Sequence, residues 1–142
     1  GEEHDSSHTG AIVRVDDTLI TVDSIRDGTT NTLLAGEKFL HTDGYAGGSW
    51  GDESGYFSGW GWETIRFGRL QPEQDDPGNP KGPGFPSGVA GVWDYFGSAH
   101  PGGFQAVSCD GSVRTFSYGI DLQILGFLAN RHDGEVIPQD QL

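Results

Sequence analysis

His100 and the pair Asp110-Gly111 are separated by nine residues, and no other pairing in the chain suggests chemistry so directly. An imidazole and a carboxylate can act as an acid–base couple or as two metal ligands, provided they meet within hydrogen-bond reach. The residues between and after them argue against a meeting. Gly103 to Cys109 and Ser112 to Tyr118 are β-prone runs on either side of Asp-Gly. That arrangement is the strongest short-range signal for a hairpin, here expected to close through a tight type I′ turn. His100 then lies at the open end of the hairpin and Asp110 at its tip, about 25–30 Å apart at the rise of an extended strand. Asp110 is expected to serve as a turn residue. His100, just before Pro101, is expected to be a loop group bonded to backbone. No catalytic residue is assigned.

Two further groups could bind ligands. Asp43, Asp52 and Glu53 lie in a glycine-rich stretch whose accessible carbonyls would complement their carboxylates around calcium, a hard cation that takes six to eight oxygens. There is no EF-hand pattern to support it. Trp50, Trp60 and Trp62, with Tyr45 and Tyr56, could form a stacking face for a glycan. The competing expectation is that these rings fill a core short of leucine and isoleucine. The five histidines show no recognised metal spacing; His4 and His8 are four apart, but in a stretch that makes a poor helix. Cys109 is the only cysteine, so no disulfide forms within the chain. Its strand-like setting in an acidic chain suggests a small buried apolar residue and not an activated thiol. Nucleophile-elbow, Walker A, dinucleotide and Cys-x-x-Cys patterns are absent from the sequence.

The elements that would position these groups are short. Residues 1–9 are polar and read as an extended lead-in. Ala11 to Val15 and Leu19 to Val22 read as short strands, and Asn31 to Phe39 as a core strand with Leu33 and Leu34 at its centre. From His41 to Gly61 glycine is too frequent for helix. Trp62 to Phe67 alternates as a strand. Gln71 to Gly88 is rich in proline and glycine and reads as a long surface loop. Asp121 is placed to cap a helix carrying Leu122, Leu125, Leu128 and Ala129 at helical spacing, with Gly134 as its stop. Glu135 to Ile137 is expected to return as an edge strand, ended by Pro138.

The whole is 142 residues with 24 glycines, more than twice the ordinary share, and a net charge of -13. One domain is expected over residues 1–142. The fold class is α+β: a mainly antiparallel twisted sheet with long Gly/Pro-rich loops and a short C-terminal helix. The charge repels phosphate backbones and anionic lipid surfaces, which excludes nucleic acid as an expected partner. No apolar run is long enough to span a membrane.

Several ordered motifs resemble one known family. Ile25 to Glu37 is similar to a "DGTSNT…GE" segment, Gly97 to Gly103 to an "SxHPGG" approach to the last hairpin, and Asp110 to Arg114 to a "DGSVR" turn. Ile120 to Ile137 resembles the closing helix and tail. The family is the large group of exported proteins, abundant in planctomycetes, that carry a prepilin-type N-terminus and end in an H-x9-DG motif. The resemblance runs from about Gly10 onward and implies the C-terminal half of such a protein, the C-terminal part of a β-rich, pseudopilin-like head. In that family a long N-terminal helix precedes the head, and this chain does not show it.

The resemblance implies an exported protein of the cell surface, periplasm or extracellular space, with protein partners in a surface or filament-like assembly. The expected function is therefore that of a non-catalytic structural or interaction subunit, with His100, Asp110 and Gly111 as a structural motif and no certain cofactor. The alternative is a secreted calcium- or glycan-binding β module, and a hydrolase with a loop-borne acid pair ranks third.

Overall fold

The computed structural model describes residues 9–13, 19–46, 52, 64–77, 94–135 and 137–138. Among the described residues five strands and one helix follow in order: β1 (Leu33–Gly36), β2 (Glu73–Gln74), β3 (Gly97–Ser98), β4 (Phe104–Ser108), β5 (Val113–Phe116) and α1 (Leu122–Leu128). Two 3-10 turns, Val22–Ser24 and Thr42–Gly44, precede and follow β1. This is a mixed α+β arrangement. Its principal sheet has three antiparallel strands in the order β1-β4-β5, and β2 and β3 form a separate parallel pair.

β4 is central because its alternation matches the pleat. Phe104, Ala106 and Ser108 are buried, and Gln105 between them is exposed. β5 turns Phe116 inward opposite Phe104 and leaves Val113 and Thr115 outside. The rings of Phe96, Phe104 and Phe116 form a continuous stack, with centroids 5.5 Å apart for the first pair and 5.6 Å for the second. α1 adds Ile124, Leu125 and Leu128 to the same cluster, joined by Leu33 and Ile137. Leu125 and Leu128 are fully buried, as the helical spacing requires. A second, smaller cluster holds Phe39, Tyr95 and Leu70.

The expected helix is capped by the expected residue. The Asp121 carboxylate accepts the Gln123 N–H at 2.7 Å and the Ile124 N–H at 3.4 Å. The helix ends sooner, at Leu128, with Ala129 as its C-cap. Gly134 lies beyond it, at φ 78°.

Other expected elements are absent or shorter. The core strand contracts to β1, with an isolated bridge from Lys38 to Phe96. No strand forms at 11–13, 19–22, 64–67 or 135 and 137, the described parts of four expected strands. Other contacts occupy or adjoin several of these stretches. The Thr9 carbonyl accepts from the Arg131 N–H and the Gly10 carbonyl from the Arg131 guanidinium. Val22 begins a 3-10 turn closed by Thr21 and Ser24. Gly68, which follows 64–67, lies against α1, where an added Cβ would approach the Leu125 carbonyl to 2.8 Å. In the described part of the expected loop, 71–77, β2 forms, because Glu73 N–H and Asp75 N–H donate to the carbonyls of Phe96 and Ser98.

The hairpin between β4 and β5 is present but differs in turn type. A type I′ turn needs positive φ at both central residues. Gly111 has φ 86°, while no non-glycine residue among those described has positive φ. Gly111 N–H donates to the Ser108 carbonyl, and Ser108 N–H to the Ser112 carbonyl. This is the three-residue hairpin loop in which a final glycine in the left-handed region makes a bulge. Asp110 can keep ordinary backbone angles there because Gly111 alone takes the left-handed one.

Gly103, the residue before β4, is under a stricter constraint. Its φ is 146°, and an added Cβ would collide with the Phe116 carbonyl oxygen, which belongs to the strand partner. Gly103→Ala is therefore expected to destabilise the protein by about 2–4 kcal/mol, combining backbone strain with steric overlap. Gly102→Ala has open space around the new Cβ, and its change should stay within about 0.5 kcal/mol. Denaturant unfolding of the two variants side by side checks the contrast; equal midpoints would contradict it.

Candidate functional site

The antiparallel pairing of β1 with β4 brings the segment 27–37 alongside the segment 100–111. Leu33 lies opposite Ser108 and Gly36 opposite Ala106, with a bulge between Leu33 and Ala35. The two ends of that pairing are the two places where the chemistry-bearing residues collect. β4 has five residues, about 17 Å of strand, and these separate the ends.

At the tip, the Asp110 carboxylate is bound on both oxygens. Oδ1 accepts the Ser112 N–H at 2.9 Å and the Ser112 hydroxyl at 2.6 Å, and Oδ2 accepts the Thr30 hydroxyl at 3.0 Å. These bonds hold its carboxyl below the usual carboxylate range: the Ser112 hydroxyl first, then the Ser112 N–H, with Thr30 and the Arg114 charge adding to them. The backbone also joins here, as Cys109 N–H donates to the Thr32 carbonyl and Asp110 N–H to the Thr29 carbonyl. Cys109 is half-buried, and burial followed by the Asp110 charge pushes its thiol up. A thiol shifted that way stays protonated and is a poor nucleophile.

The 27–32 segment is fastened on its other side as well. Asp27 accepts from the Asp133 N–H at 2.8 Å and the Gly134 N–H at 2.9 Å. Arg26 and Asp27 donate their N–H groups to the Arg131 carbonyl. One loop thus ties the hairpin tip to the chain that follows α1.

At the mouth, His100 is exposed and its Nε2 lies 3.6 Å from Glu37 Oε1. The other Glu37 oxygen accepts the Gln105 N–H at 2.7 Å. The backbone of His100 is fixed more firmly than its ring. Its N–H donates to Ser98 Oγ at 2.9 Å, and its carbonyl lies 2.5 Å from the Tyr118 hydroxyl. Tyr118 also reaches the Ser98 carbonyl at 2.9 Å, and Ser98 Oγ donates to the Gly103 carbonyl. Gln71 Nε2 in turn donates to the carbonyls of Tyr118 and Ile120.

His100 and Asp110 therefore belong to separate networks. The partners that complete each network, Glu37, Ser98 and Tyr118 at the mouth and Thr30 at the tip, are not marked as site residues by the sequence. Glu37 and Thr30 do fall in a segment that carries the resemblance, and Ser98 and Tyr118 flank the β4–β5 hairpin. Their roles depend on strand register, which residue types do not encode.

The calcium candidates are only partly placed. Asp43 is exposed, beside the buried His41, whose Nδ1 accepts the Asp43 N–H at 3.2 Å. Asp52 is paired with the Lys38 ammonium. Glu53, Trp50, Trp60 and Trp62 lie outside the described residues, as do Tyr56, His4 and His8. Among the described residues no group of three or more His, Cys, Asp or Glu is gathered as a metal site requires. Tyr45 instead donates to Asp75 at 2.8 Å, and Asp75 also accepts the Leu40 N–H. Loss of solvent raises the Asp75 carboxyl against the pull of these bonds. Desolvation and then Asp75 push the Tyr45 hydroxyl up to about 12. No described helix is long and apolar enough to cross a membrane.

A family model described as "Protein of unknown function (DUF1559)" matches residues 1–123. The match takes in β1 to β5 and ends at the second residue of α1. No curated protein and no solved structure matches.

The tip network has a pH signature. Asp110 has an unfolded value near 3.8 and a lower folded one. Its contribution to stability is complete above the unfolded value and is lost as pH falls through the folded one. Asp110→Asn should therefore be less stable than the wild type at neutral pH, and the gap should narrow as pH falls below the unfolded value near 3.8. Urea midpoints from neutral pH to below that value test it; a gap independent of pH would remove the carboxylate as its source.

Proposed function

The chain belongs to the DUF1559 family, and we propose that it acts as an exported, non-catalytic structural or interaction subunit with a pseudopilin-like head. One observation carries this reading: Asp110, the carboxylate with most chemical promise, is committed to holding the hairpin. Asp110 accepts three hydrogen bonds and is kept ionised by them. A general acid or base needs a pKa near its working pH and a free edge toward substrate. Asp110 has neither.

The mouth of the hairpin supports the same reading. Ser98 and Tyr118 bind main-chain groups of 98–103, so their hydroxyls shape a loop and do not face a reacting centre. Loops fastened to a sheet in this way present a fixed surface to a partner. The resemblance of the 97–103, 110–114 and 25–37 motifs to exported, prepilin-type proteins adds the cell address and the pseudopilin-like comparison.

Native-mass measurement on gently solubilised envelope and culture fractions of the producing cells tests this. The chain is expected outside the cytoplasm, in a complex with other protein subunits. A cytoplasmic monomer would overturn the proposal, and so would a turnover activity abolished by His100→Ala.

A further inference from the structure

β5 is an edge strand of the three-stranded sheet. Ser108 and Ser112 are joined across the hairpin by a main-chain hydrogen bond, which fixes the phase of the β4–β5 ladder. Two residues on, Ala106 and Arg114 form the next bonded pair, and Phe104 and Phe116 the one after. Gln105 and Val107 consequently aim their main-chain groups toward β1, in keeping with the bond from Glu37 N–H to the Gln105 carbonyl. Their cross-strand neighbours, Thr115 and Val113, aim theirs away from β4. Among the described residues nothing bonds to the N–H or C=O of either. Val113 is 63% exposed and Thr115 is exposed too.

Sheet edges are ordinarily protected by short length, bulges, proline or charge, inward-pointing charge included. The opposite edge strand, β1, carries a bulge. β5 has neither bulge nor proline. Its one charged residue, Arg114, sits on the inner face opposite Ala106, and the guanidinium Nη1 is buried without a hydrogen-bond partner. A residue of the edge strand whose guanidinium has an unbonded nitrogen, and whose charge also acts on Asp110, sets a selection rule for whatever pairs there. Antiparallel self-pairing through Val113 and Thr115 centres on Arg114 and would place two arginines directly opposite, between chains that each carry -13. A strand with a carboxylate at that position would instead meet an opposite charge.

We propose that β5 is a docking edge for an extended strand of a partner protein that carries a carboxylate opposite Arg114. Main-chain bonds to Val113 and Thr115 supply the pairing, and Arg114 sets register and choice of partner. The proposal rests on the reading of the chain as an interaction subunit and names the surface it uses.

Amide exchange of the isotope-labelled full chain tests it with two short acetylated peptides. Both alternate threonine and valine; one has a central glutamate and the other a central lysine. The glutamate peptide is expected to slow exchange at Val113 and Thr115. The lysine peptide should bind about two- to fivefold more weakly, the span carried by an opposite-charge cross-strand pair. Arg114→Glu should reverse that order. Thr115→Pro should abolish both interactions while the fold persists, since this N–H is outside the ladder and proline is tolerated at such edge positions. Equal binding of the two peptides, or protection away from β5, would overturn the proposal. So would a concentration-dependent dimer of the chain that Thr115→Pro dissolves. A native assembly that survives Thr115→Pro would also overturn the β5 site while leaving the subunit reading intact.

Discussion

The antiparallel register between β1 and β4 is the constraint on which the rest of this structure depends. Leu33 opposite Ser108 and Gly36 opposite Ala106 bring together segments some seventy positions apart in sequence. Closing so long a loop is entropically unfavourable, and ladder bonds alone would not offset it. The aromatic stack on the inner face supplies the missing free energy. Phe104 is fully buried, touches both Phe96 and Phe116, and shares its cluster with α1. Burial of a phenylalanine side chain contributes about 1.5–3 kcal/mol, so this one position weighs heavily in a small core.

Once that register is set, the polar residues at each end have determined tasks. At the tip, Asp110, Thr30 and Ser112 satisfy one another, and Asp27 carries the same fastening to the chain after α1. At the mouth, Ser98 and Tyr118 hold the loop that leads into β4. The sheet is therefore locked at both ends by side chains, while among the described residues its β5 edge stays open. Such a scaffold is held by side-chain bonds at its two ends and presents unbonded main-chain groups along β5.

Much of the hairpin is legible in the residue order, because its signals are local. Asp-Gly between β-prone runs marks a reversal, and Asp121 before leucines at helical spacing marks a capped helix; both are present. The turn type is not legible. Two-residue and three-residue loops both favour Asp-Gly, and only the hydrogen-bond pattern around Ser108 and Ser112 distinguishes them. Short strands at 11–15, 19–22 and 62–67 look plausible in sequence for a similar reason. β-propensity describes a side chain that fits a half-buried pleat, and a strand exists only if a neighbour supplies the ladder. Leu19 and Val22 lie in no ladder and stand exposed.

The candidate site divides along the same line. The sequence by itself determined that His100 and Asp110 could not meet, since a strand of fixed rise separates them, and that Asp110-Gly111 had a sufficient role as a turn. It could not determine what each meets instead. Glu37 beside His100, Thr30 beside Asp110 and Arg114 on an open edge all follow from which strand lies next to which, and in which register. Pairing across a sheet is set by the summed burial of residues far apart in the chain. For that reason the local turns and caps were readable in the residue order, and the networks and the free edge were decided only by the tertiary structure.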